Sequence, residues 1–395
     1  AGATSSRTWR IRCIRGICLR GIKLIGKSGV ARQNTILYFA NCNNYHTIKW
    51  CSYFSSVGYD VHVASLEKPL AGNAGTIDRV SVHWLSNDSE RLGSDIQKLS
   101  YFRTISQAKA LIKEVNPDIV HAHYASSYGT ICSFACKRPY YLSVWGSDVY
   151  EFPQKSFLHK AILKRSLDKA TWIMSTSRAM AVETHKYTSK EIAITPFGVD
   201  MSLFNPDKAV PHEGFVVGTV KGLESKYGIE TLLHACSLVH RNRPDINLKV
   251  RIAGAGTQEK YLRDTASSLG MDGYCKWLGF ITQENAACEW ASFDVALVPS
   301  ESESFGVSAV EAQASGTALV ISDIPGLMEA CDDGKTAICF MGHGTEAESN
   351  AVYAKMQQVL TEGGHANYFV GTVEATPSLE DRTFLFGARL CNPGI

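Results

Sequence analysis

The sequence lacks three features that would each point to a well-defined class of protein. No apolar run approaches the roughly 20 residues that a helix needs to cross a bilayer. Arginines interrupt every apolar stretch near the start of the chain, so no signal-peptide core is present there. The 12 cysteines include no Cys-x-x-Cys pair and no Cys/His cluster at zinc spacing. Scattered cysteines of this kind favour reduced thiols in a cytoplasmic enzyme over a disulfide framework.

Acidic residues are missing from residues 1–33, which carry eight Arg and Lys. The net charge of the whole chain is only +2, too small to indicate a nucleic-acid partner. One interpretation of the basic leader is a membrane-surface segment drawn to anionic lipid, which would make the protein peripheral at the inner membrane. The other is a disordered leader, because its apolar residues follow no helical period and glycines interrupt them. The pattern favours disorder.

After residue 33, apolar strand-like runs alternate with amphipathic segments of helical length. A chain of 395 residues is long enough for two domains, and this alternation is typical of parallel α/β sheets. The pattern predicts seven strands before a break at 197–214 that is rich in residues ending regular structure, and five strands after it. The predicted architecture is α/β, with two Rossmann-like doubly wound domains at 34–196 and 215–362. They face across a cleft, and 363–395 stays unassigned.

The densest chemical signal is the segment from Pro299 to Ala312, where a buried strand leads through a loop into a helix. The free N–H groups at a helix start form an anion site suited to a diphosphate. Gly306 lets the backbone approach a ligand closely. Glu311 could accept hydrogen bonds from the vicinal hydroxyls of a ribose, with Glu303 nearer the sugar and phosphates. The alternative is that both are solvated surface glutamates, with Glu303 a partner of the helix N-terminus.

This Glu-x7-Glu segment resembles that of glycosyltransferase family 4, whose members adopt the two-domain GT-B fold. The resemblance runs from about Thr35 to Gly326, and its landmarks occur in the family's order. These landmarks are Asn44-Tyr45-His46-Thr47-Ile48-Lys49-Trp50, Trp145-Gly146-Ser147-Asp148, Phe197-Gly198-Val199-Asp200 with Phe204-Asn205-Pro206, and Glu303 to Glu311.

The resemblance implies a retaining hexosyltransferase that moves a sugar from a nucleotide-diphosphate sugar to a glycan or lipid-linked acceptor. Such a reaction belongs to polysaccharide or glycoconjugate biosynthesis. It also implies that the first domain holds the acceptor and the second binds the nucleotide sugar. The chain has no Asp-x-Asp motif, which GT-A transferases use to hold a divalent ion. We therefore expect neither a metal nor any cofactor apart from the donor substrate.

The resemblance assigns roles to individual residues. A basic pair binds the donor diphosphate in this family, and Lys221 and Lys226 fit that role. Fixed positive charge there would stabilise the departing diphosphate. The expected catalytic residues are Glu303, Lys221 and Asp148. The expected donor-binding residues are Lys226, Ser304, Phe305, Gly306, Val307, Glu311, Gly254 and Phe280.

On the acceptor side the expected residues are His46 and Trp145. Asp148 follows the strand 140–144, where an acid facing the cleft belongs, although a helix-cap role is the alternative. His46 is equally compatible with an ordinary position at the start of a helix. Gly254 lies in a Gly-x-Gly sequence that lacks the third glycine of a dinucleotide fingerprint, which argues against a dehydrogenase.

Two further alternatives remain open at this level. A nucleotide-sugar epimerase or a sugar-phosphate synthase would share the fold and bind the same donor. A non-catalytic, membrane-associated scaffold would bind the nucleotide without transferring its sugar.

Overall fold

The computed structural model describes residues 34–85, 94–334, 336–340 and 345–361. The predicted leader at 1–33 and the unassigned tail at 363–395 lie outside these residues. Two parallel sheets, one on each side of the predicted break at 197–214, form the framework of the protein. Among the described helices, none is both long enough and apolar enough to cross a membrane.

The first sheet has seven strands in the order β3-β2-β1-β4-β5-β6-β7, and all of its pairings are parallel. The strand order runs in opposite directions from β1 and from β4, so the switch point lies between these two strands, where doubly wound sheets open a crevice. Its elements are β1 (Thr35–Phe39), α1 (Tyr45–Ser56), β2 (Asp60–Ser65), β3 (Val80–Trp84), α2 (Ser94–Val115), β4 (Ile119–His123), α3 (Tyr128–Ala135), β5 (Tyr141–Val144), α4 (Ser147–Tyr150), α5 (Phe157–Lys169), β6 (Trp172–Ser175), α6 (Arg178–Thr184) and β7 (Ile192–Ile194).

The second sheet has six strands in the order β10-β9-β8-β11-β12-β13, again all parallel, and its switch point lies between β8 and β11. Its elements are β8 (Phe215–Val220), α7 (Ile229–Asn242), β9 (Leu248–Ala253), α8 (Glu259–Ser268), β10 (Cys275–Gly279), α9 (Gln283–Ser292), β11 (Val295–Val298), α10 (Val307–Ala314), β12 (Ala318–Ser322), α11 (Pro325–Ala330), β13 (Ile338–Phe340) and α12 (Thr345–Thr361).

Most positions in the central strands are apolar because helices cover both faces of each sheet, and the polar exceptions, such as His121 and His123 on β4, are buried as well. In β11 and β12 every residue is buried. Such runs are typical of parallel sheets, in which neither face meets water. Each sheet therefore separates two layers of apolar core.

All twelve strands expected from the sequence are present, but the second sheet has one more. β13 is only three residues long and pairs with β12, and the sequence pattern missed it. The short helices α4 and α11, of four and six residues, were missed as well. Segments this short do not complete the period that identifies a helix.

Hydrogen bonds join the two halves of the chain directly. Glu329, on α11, accepts from the backbone N–H groups of Arg178 (2.8 Å) and Ala179 (3.1 Å) at the start of α6. The Ser177 hydroxyl donates to the carbonyl of Ser304. These contacts hold the carboxyl edges of the two sheets against each other.

Candidate active site

A cleft of about 310 Å³ lies between the carboxyl edges of the two sheets. Residues from both halves of the chain line it, which agrees with the predicted location of a ligand site in doubly wound folds. The lining residues are His46, Tyr124, Trp145, Gly146, Ser147, Tyr150, Glu151, Phe197, Lys221, Lys226, Tyr227, Ser302, Glu303, Ser304, Gly306 and Val307.

The loop between β11 and α10 forms one wall of this cleft. Gly306 directly precedes the helix and has a positive φ of 82°. There is no room for a side chain at this position, because an added Cβ would lie 2.5 Å from Leu327 Cδ2. The start of α10 therefore opens on the cleft, with Gly306 and Val307 at its surface. A helix N-terminus in this position favours an anionic ligand group.

An ion pair between Lys221 and Glu303 lies at the same place. Their side chains are only 12% and 10% exposed. Lys221 Nζ also donates to Ser308 Oγ (3.0 Å), and Glu303 Oε1 accepts from Ser300 Oγ (3.0 Å). The cleft thus contains a fixed cation and a fixed carboxylate, both attached to loops at the sheet edge.

Lys226 lies beside the β11–α10 loop, where its carbonyl accepts from the N–H of Glu301 (2.9 Å), and its side chain reaches across the cleft. Its Nζ contacts Glu151 Oε1 at 2.6 Å, so the pair joins the second half of the chain to the first. Burial lowers the pKa of Lys226, but the hydrogen bond to Glu151 and the electrostatic effects of Tyr227, Glu151 and Tyr124 together outweigh it, and the pKa rises overall. Lys226 therefore stays positively charged at neutral pH.

Glu311, one and a half turns into α10, does not belong to the lining of this cleft. Its Oε2 accepts from Trp290 Nε1 at 3.3 Å. Burial raises the pKa of Glu311 to about 7, against the opposing effects of the Trp290 hydrogen bond and of the Lys49 and Lys221 charges. A carboxylate with this pKa changes its charge close to neutral pH.

The sequence predicted that Asp148 faces the cleft, but in the structure it does not. Its side chain is fully buried, and its carboxylate accepts backbone hydrogen bonds from Ala125 (2.8 Å), Trp145 (3.1 Å) and Gly146 (2.8 Å). Burial raises the pKa of Asp148, while these hydrogen bonds lower it. The carboxylate therefore joins the loops that follow β4 and β5, and it contacts no open space where a substrate would lie.

We expect Asp148→Asn to weaken this junction, because an amide offers one acceptor oxygen where the carboxylate offers two. One of the three hydrogen bonds would be lost, at a cost of about 1–3 kcal/mol of unfolding free energy for a buried unsatisfied group. Urea denaturation measures this change. Equal stability of the variant and the wild type would contradict the junction role. Asp60→Asn, at a partly exposed position, is the matched control.

Aromatic rings form another wall of the cleft. The His46 ring stacks on Phe197 with centroids 3.7 Å apart, and it meets the Trp145 ring edge-on at 5.9 Å. Burial lowers the pKa of His46 to about 3, so the ring is neutral. His46 and Trp145, both expected on the acceptor side, therefore lie together at the cleft.

His123 lies in contact with this wall and was not expected from the sequence. Its ring centroid is 4.6 Å from that of Trp145, and within the described residues neither ring nitrogen has a hydrogen-bond partner. Burial is the main reason its pKa lies well below the usual value. The signal that could have found it is its position as the last residue of β4, at the edge where ligands bind. Tyr124, Tyr150 and Tyr227 also line the cleft and were missed.

Like Glu311, the expected donor-binding residues Phe305, Phe280 and Gly254 lie outside the lining of the cleft. Phe305 is 2% exposed and packs into the apolar core with Ile324 and Leu327, so it cannot contact a ligand in the cleft. Phe280 follows β10 and is 86% exposed, and it lies outside the cleft lining. Ser304, by contrast, lines the cleft as expected.

Gly254 supports the loop that holds Lys221. It has a φ of 142°, and a Cβ there would lie 1.8 Å from the carbonyl oxygen of Lys221. Its N–H donates to the carbonyl of Gly279 at 2.7 Å. The glycine thus allows the loops after β8, β9 and β10 to meet.

Gly254→Ala is expected to destabilise the fold by about 1–3 kcal/mol, because the backbone conformation and the missing space both disfavour a side chain. Thermal unfolding measures this loss. Gly270→Ala is the matched control, since its φ is 72° but nothing lies within 4 Å of an added Cβ. An equal loss of stability in both variants would show that the lack of space at Gly254 is not the cause.

Two parallel α/β sheets whose carboxyl edges enclose a cleft define the GT-B class of fold. Residues 35–177 match the family model described as glycosyl transferase 4-like, and residues 202–370 match that of glycosyl transferases group 1. Together these matches span most of the chain. The chain belongs to this family of glycosyltransferases.

Solved structures support the same fold. Sucrose-phosphate synthase from Thermosynechococcus elongatus has a TM-score of 0.70 at 17% identity, covering 84% of this chain and 90% of that chain. HepE from Anabaena, in complex with UDP and glucose, has a TM-score of 0.66 at 16% identity, covering 85% of this chain and 93% of that chain. At these identities the similarity concerns the fold.

Sequence relatives are similar over shorter stretches. The D-inositol 3-phosphate glycosyltransferase of Arthrobacter sp. (strain FB24) is 31% identical over 212 residues, 50% of this chain and 50% of its own length. The uncharacterized glycosyltransferase MJ1607 of Methanocaldococcus jannaschii is 24% identical over 307 residues, 69% of this chain and 78% of its own. The chain spans about half the length of the inositol phosphate relatives that it matches.

Proposed function

We propose that the protein is a retaining, metal-independent hexosyltransferase that moves a sugar from a nucleotide-diphosphate sugar to a glycan or lipid-linked acceptor. One observation carries this proposal. The Lys221–Glu303 pair lies beside the N-terminus of α10, in a cleft lined by both halves of the chain. A cation and a helix start favour a diphosphate, and the adjacent carboxylate is suited to sugar hydroxyls.

In the proposed mechanism, the protein stabilises negative charge on the departing diphosphate. As the glycosidic bond breaks, its electron pair goes to the β-phosphate oxygen, and Lys221 lies where it can stabilise that oxygen. Electrostatic help of this kind is usually the largest contribution to catalysis. Lys226 would leave Glu151 and bind the same diphosphate.

The acceptor hydroxyl attacks the anomeric carbon from the face that the diphosphate leaves, and its proton goes to the departing phosphate. This front-face transfer retains the anomeric configuration and needs no covalent intermediate. The burial of Asp148 supports it, since that carboxylate has no access to an anomeric carbon. Glu303 holds the sugar while the bond changes. A trapped glycosyl ester on Glu303 would overturn this mechanism.

The other donor contacts are proposed in the same way. Ser304, Gly306 and Val307 bind the diphosphate through the loop and the helix start. Although neither residue lines the cleft, we propose that Glu311 binds the ribose hydroxyls and that Phe280 contacts the base. The HepE complex with UDP and glucose supports a nucleotide-sugar donor here. The relatives named D-inositol 3-phosphate glycosyltransferase support the transfer of a sugar.

The proposed compartment is the cytoplasm. Cys42, Cys132 and Cys236 are buried free thiols, which supports a reducing environment. The basic leader at 1–33 supports a peripheral position at the inner membrane, through attraction to anionic lipid.

Isothermal calorimetry with nucleoside diphosphates, their sugars and NAD tests the donor proposal. We expect one site that binds a nucleoside diphosphate, with affinity unchanged by EDTA, and no binding of NAD. Glu303→Gln should lose affinity for the nucleotide sugar while it keeps affinity for the diphosphate alone. NAD binding, or a requirement for a divalent ion, would contradict the proposal.

A further inference from the structure

The first turn of α5 carries two large apolar side chains at the protein surface. Phe157 is 87% exposed and Leu158 is 56% exposed. Across the part of the chain that the structure describes, Phe157 is the most exposed large apolar side chain. Neighbouring apolar residues this exposed are typical of a surface that contacts a partner.

The segment that carries these two residues is positively charged. Between residues 155 and 169 there are five Lys and Arg and one Asp, a net charge of 5 − 1 = +4. Lys160 and Lys164 follow Phe157 at helical spacing, so they extend the same face of α5, and both are exposed. We call Phe157, Leu158, Lys160 and Lys164 the α5 patch.

We propose that the α5 patch docks the protein on an anionic lipid bilayer. Phe157 and Leu158 enter the boundary between headgroups and acyl chains, and the lysines contact lipid phosphates. The charge argues against a second copy of the chain as the partner, because a symmetric contact would bring two patches of like charge together. Two exposed apolar side chains next to lysines instead fit an anionic lipid surface, which offers acyl chains to the first and phosphates to the second.

The α5 patch lies next to the cleft along the chain. Glu151 lines the cleft, and the 3₁₀ turn Phe152–Gln154 follows it. Phe152 packs edge-on against His159, in the first turn of α5, with ring centroids 4.8 Å apart. Docking would therefore bring the acceptor side of the cleft close to the membrane, which suits a lipid-linked acceptor. The lipid-linked acceptor rests on the proposed function, which also includes a peripheral position at the membrane, whereas the α5 patch rests on the exposure and charge of its own residues.

Vesicle co-sedimentation of the full chain tests the proposal. The vesicles contain phosphatidylcholine alone or phosphatidylcholine mixed with phosphatidylglycerol. We expect binding to the mixed vesicles only, weakening with salt. The double variant Lys160→Gln with Lys164→Gln should weaken vesicle binding about 25-fold, because each lysine near an anionic surface contributes a factor of about five. Phe157→Ser with Leu158→Ser should weaken it at least tenfold.

Matched controls separate the α5 patch from general surface effects. Val210→Ser removes an apolar side chain that is 54% exposed elsewhere, and Lys260→Gln with Lys276→Gln removes two lysines from the second half of the chain. We expect these controls to bind mixed vesicles as the wild type does. Equal loss in controls and patch variants would overturn the proposal, as would patch variants that bind like the wild type. If the patch variants bind like the wild type, another segment of the chain is responsible for vesicle binding.

Two further readouts distinguish the remaining outcomes. If sedimentation velocity shows that the patch variants lose a dimer while vesicle binding stays unchanged, the partner is a second copy and the proposal fails. Sugar transfer to a soluble acceptor reports on the proposed function independently. Patch variants that keep this transfer but lose vesicle binding support docking. Patch-dependent vesicle binding by a protein with no transferase activity would leave the docking intact and reject the function alone.

Discussion

Replacing Lys221 with alanine is expected to lower the turnover number for sugar transfer by a factor of about 10²–10³, the usual loss when one preorganised group leaves a transition state. The Lys221 ammonium group is largely shielded from water and fixed by Glu303 and Ser308. Its charge matters most when the diphosphate departs, so the donor Michaelis constant should change much less than turnover. The rate of nucleoside diphosphate release, measured over a range of donor concentrations up to saturation, gives both quantities.

Two variants make this result specific. Lys221→Arg keeps the positive charge and should recover part of the turnover. Lys276→Ala removes an exposed lysine on β10 and should have no effect. Because Lys221→Ala leaves Glu303 without its cation, the melting temperature of the variant is measured alongside. A change in the acceptor Michaelis constant alone, with normal turnover, would place Lys221 outside the donor site.

Glu311→Gln is expected to weaken donor binding by about tenfold to a hundredfold near pH 8, the loss of about 1–3 kcal/mol for a hydrogen bond to a charged group. In the wild type, donor affinity should also fall as the pH drops through about 7. Below this pKa the carboxyl gains a proton and can no longer accept hydrogen bonds from both ribose hydroxyls. Calorimetric titration of the nucleoside diphosphate between about pH 8 and pH 6 measures the effect.

The glutamine variant is its own control for the pH effect. It should bind weakly at both pH values, apart from the titration of the nucleotide itself. The stability of the wild type should fall as the pH rises, opposite to its donor affinity. The Glu311 carboxyl holds its proton up to a pKa of about 7 in the folded protein, whereas in the unfolded chain it releases the proton near pH 4.5. Glu311 therefore lowers stability increasingly between those values, by up to about 3 kcal/mol above pH 7. Glu311→Gln should remove that loss, and an unchanged pH profile of stability would contradict the burial argument.

Most of the fold could be predicted from the sequence because its strands are continuous apolar runs between helices. β11 and β12 illustrate this, since a fully buried parallel strand needs no polar face. β13 could not be predicted in the same way. Its three residues are stabilised by pairing with β12, and this partner is not visible in the local pattern.

The sequence could predict those site residues whose position is determined by a strand, the loop after it and the helix that follows. Gly306 and Val307 lie at the start of a helix that follows a buried strand, so they meet the cleft. The direction of a side chain within such a loop follows no period. Phe305 points into the core between two residues that line the cleft, and Asp148 points into backbone N–H groups that include Ala125, 23 positions earlier. Contacts distant in sequence decide both orientations.

The most direct test of the proposed function is to count both products in one reaction. The protein is incubated with a panel of nucleotide sugars and with free and lipid-linked glycan acceptors, in the presence of EDTA. Released nucleoside diphosphate is quantified, and mass spectrometry measures the sugar added to the acceptor. The account predicts one added hexose for each diphosphate released, and almost none of either with Lys221→Ala. Conversion of the donor to an epimer with no gain in acceptor mass, or binding without turnover on any acceptor, would contradict it.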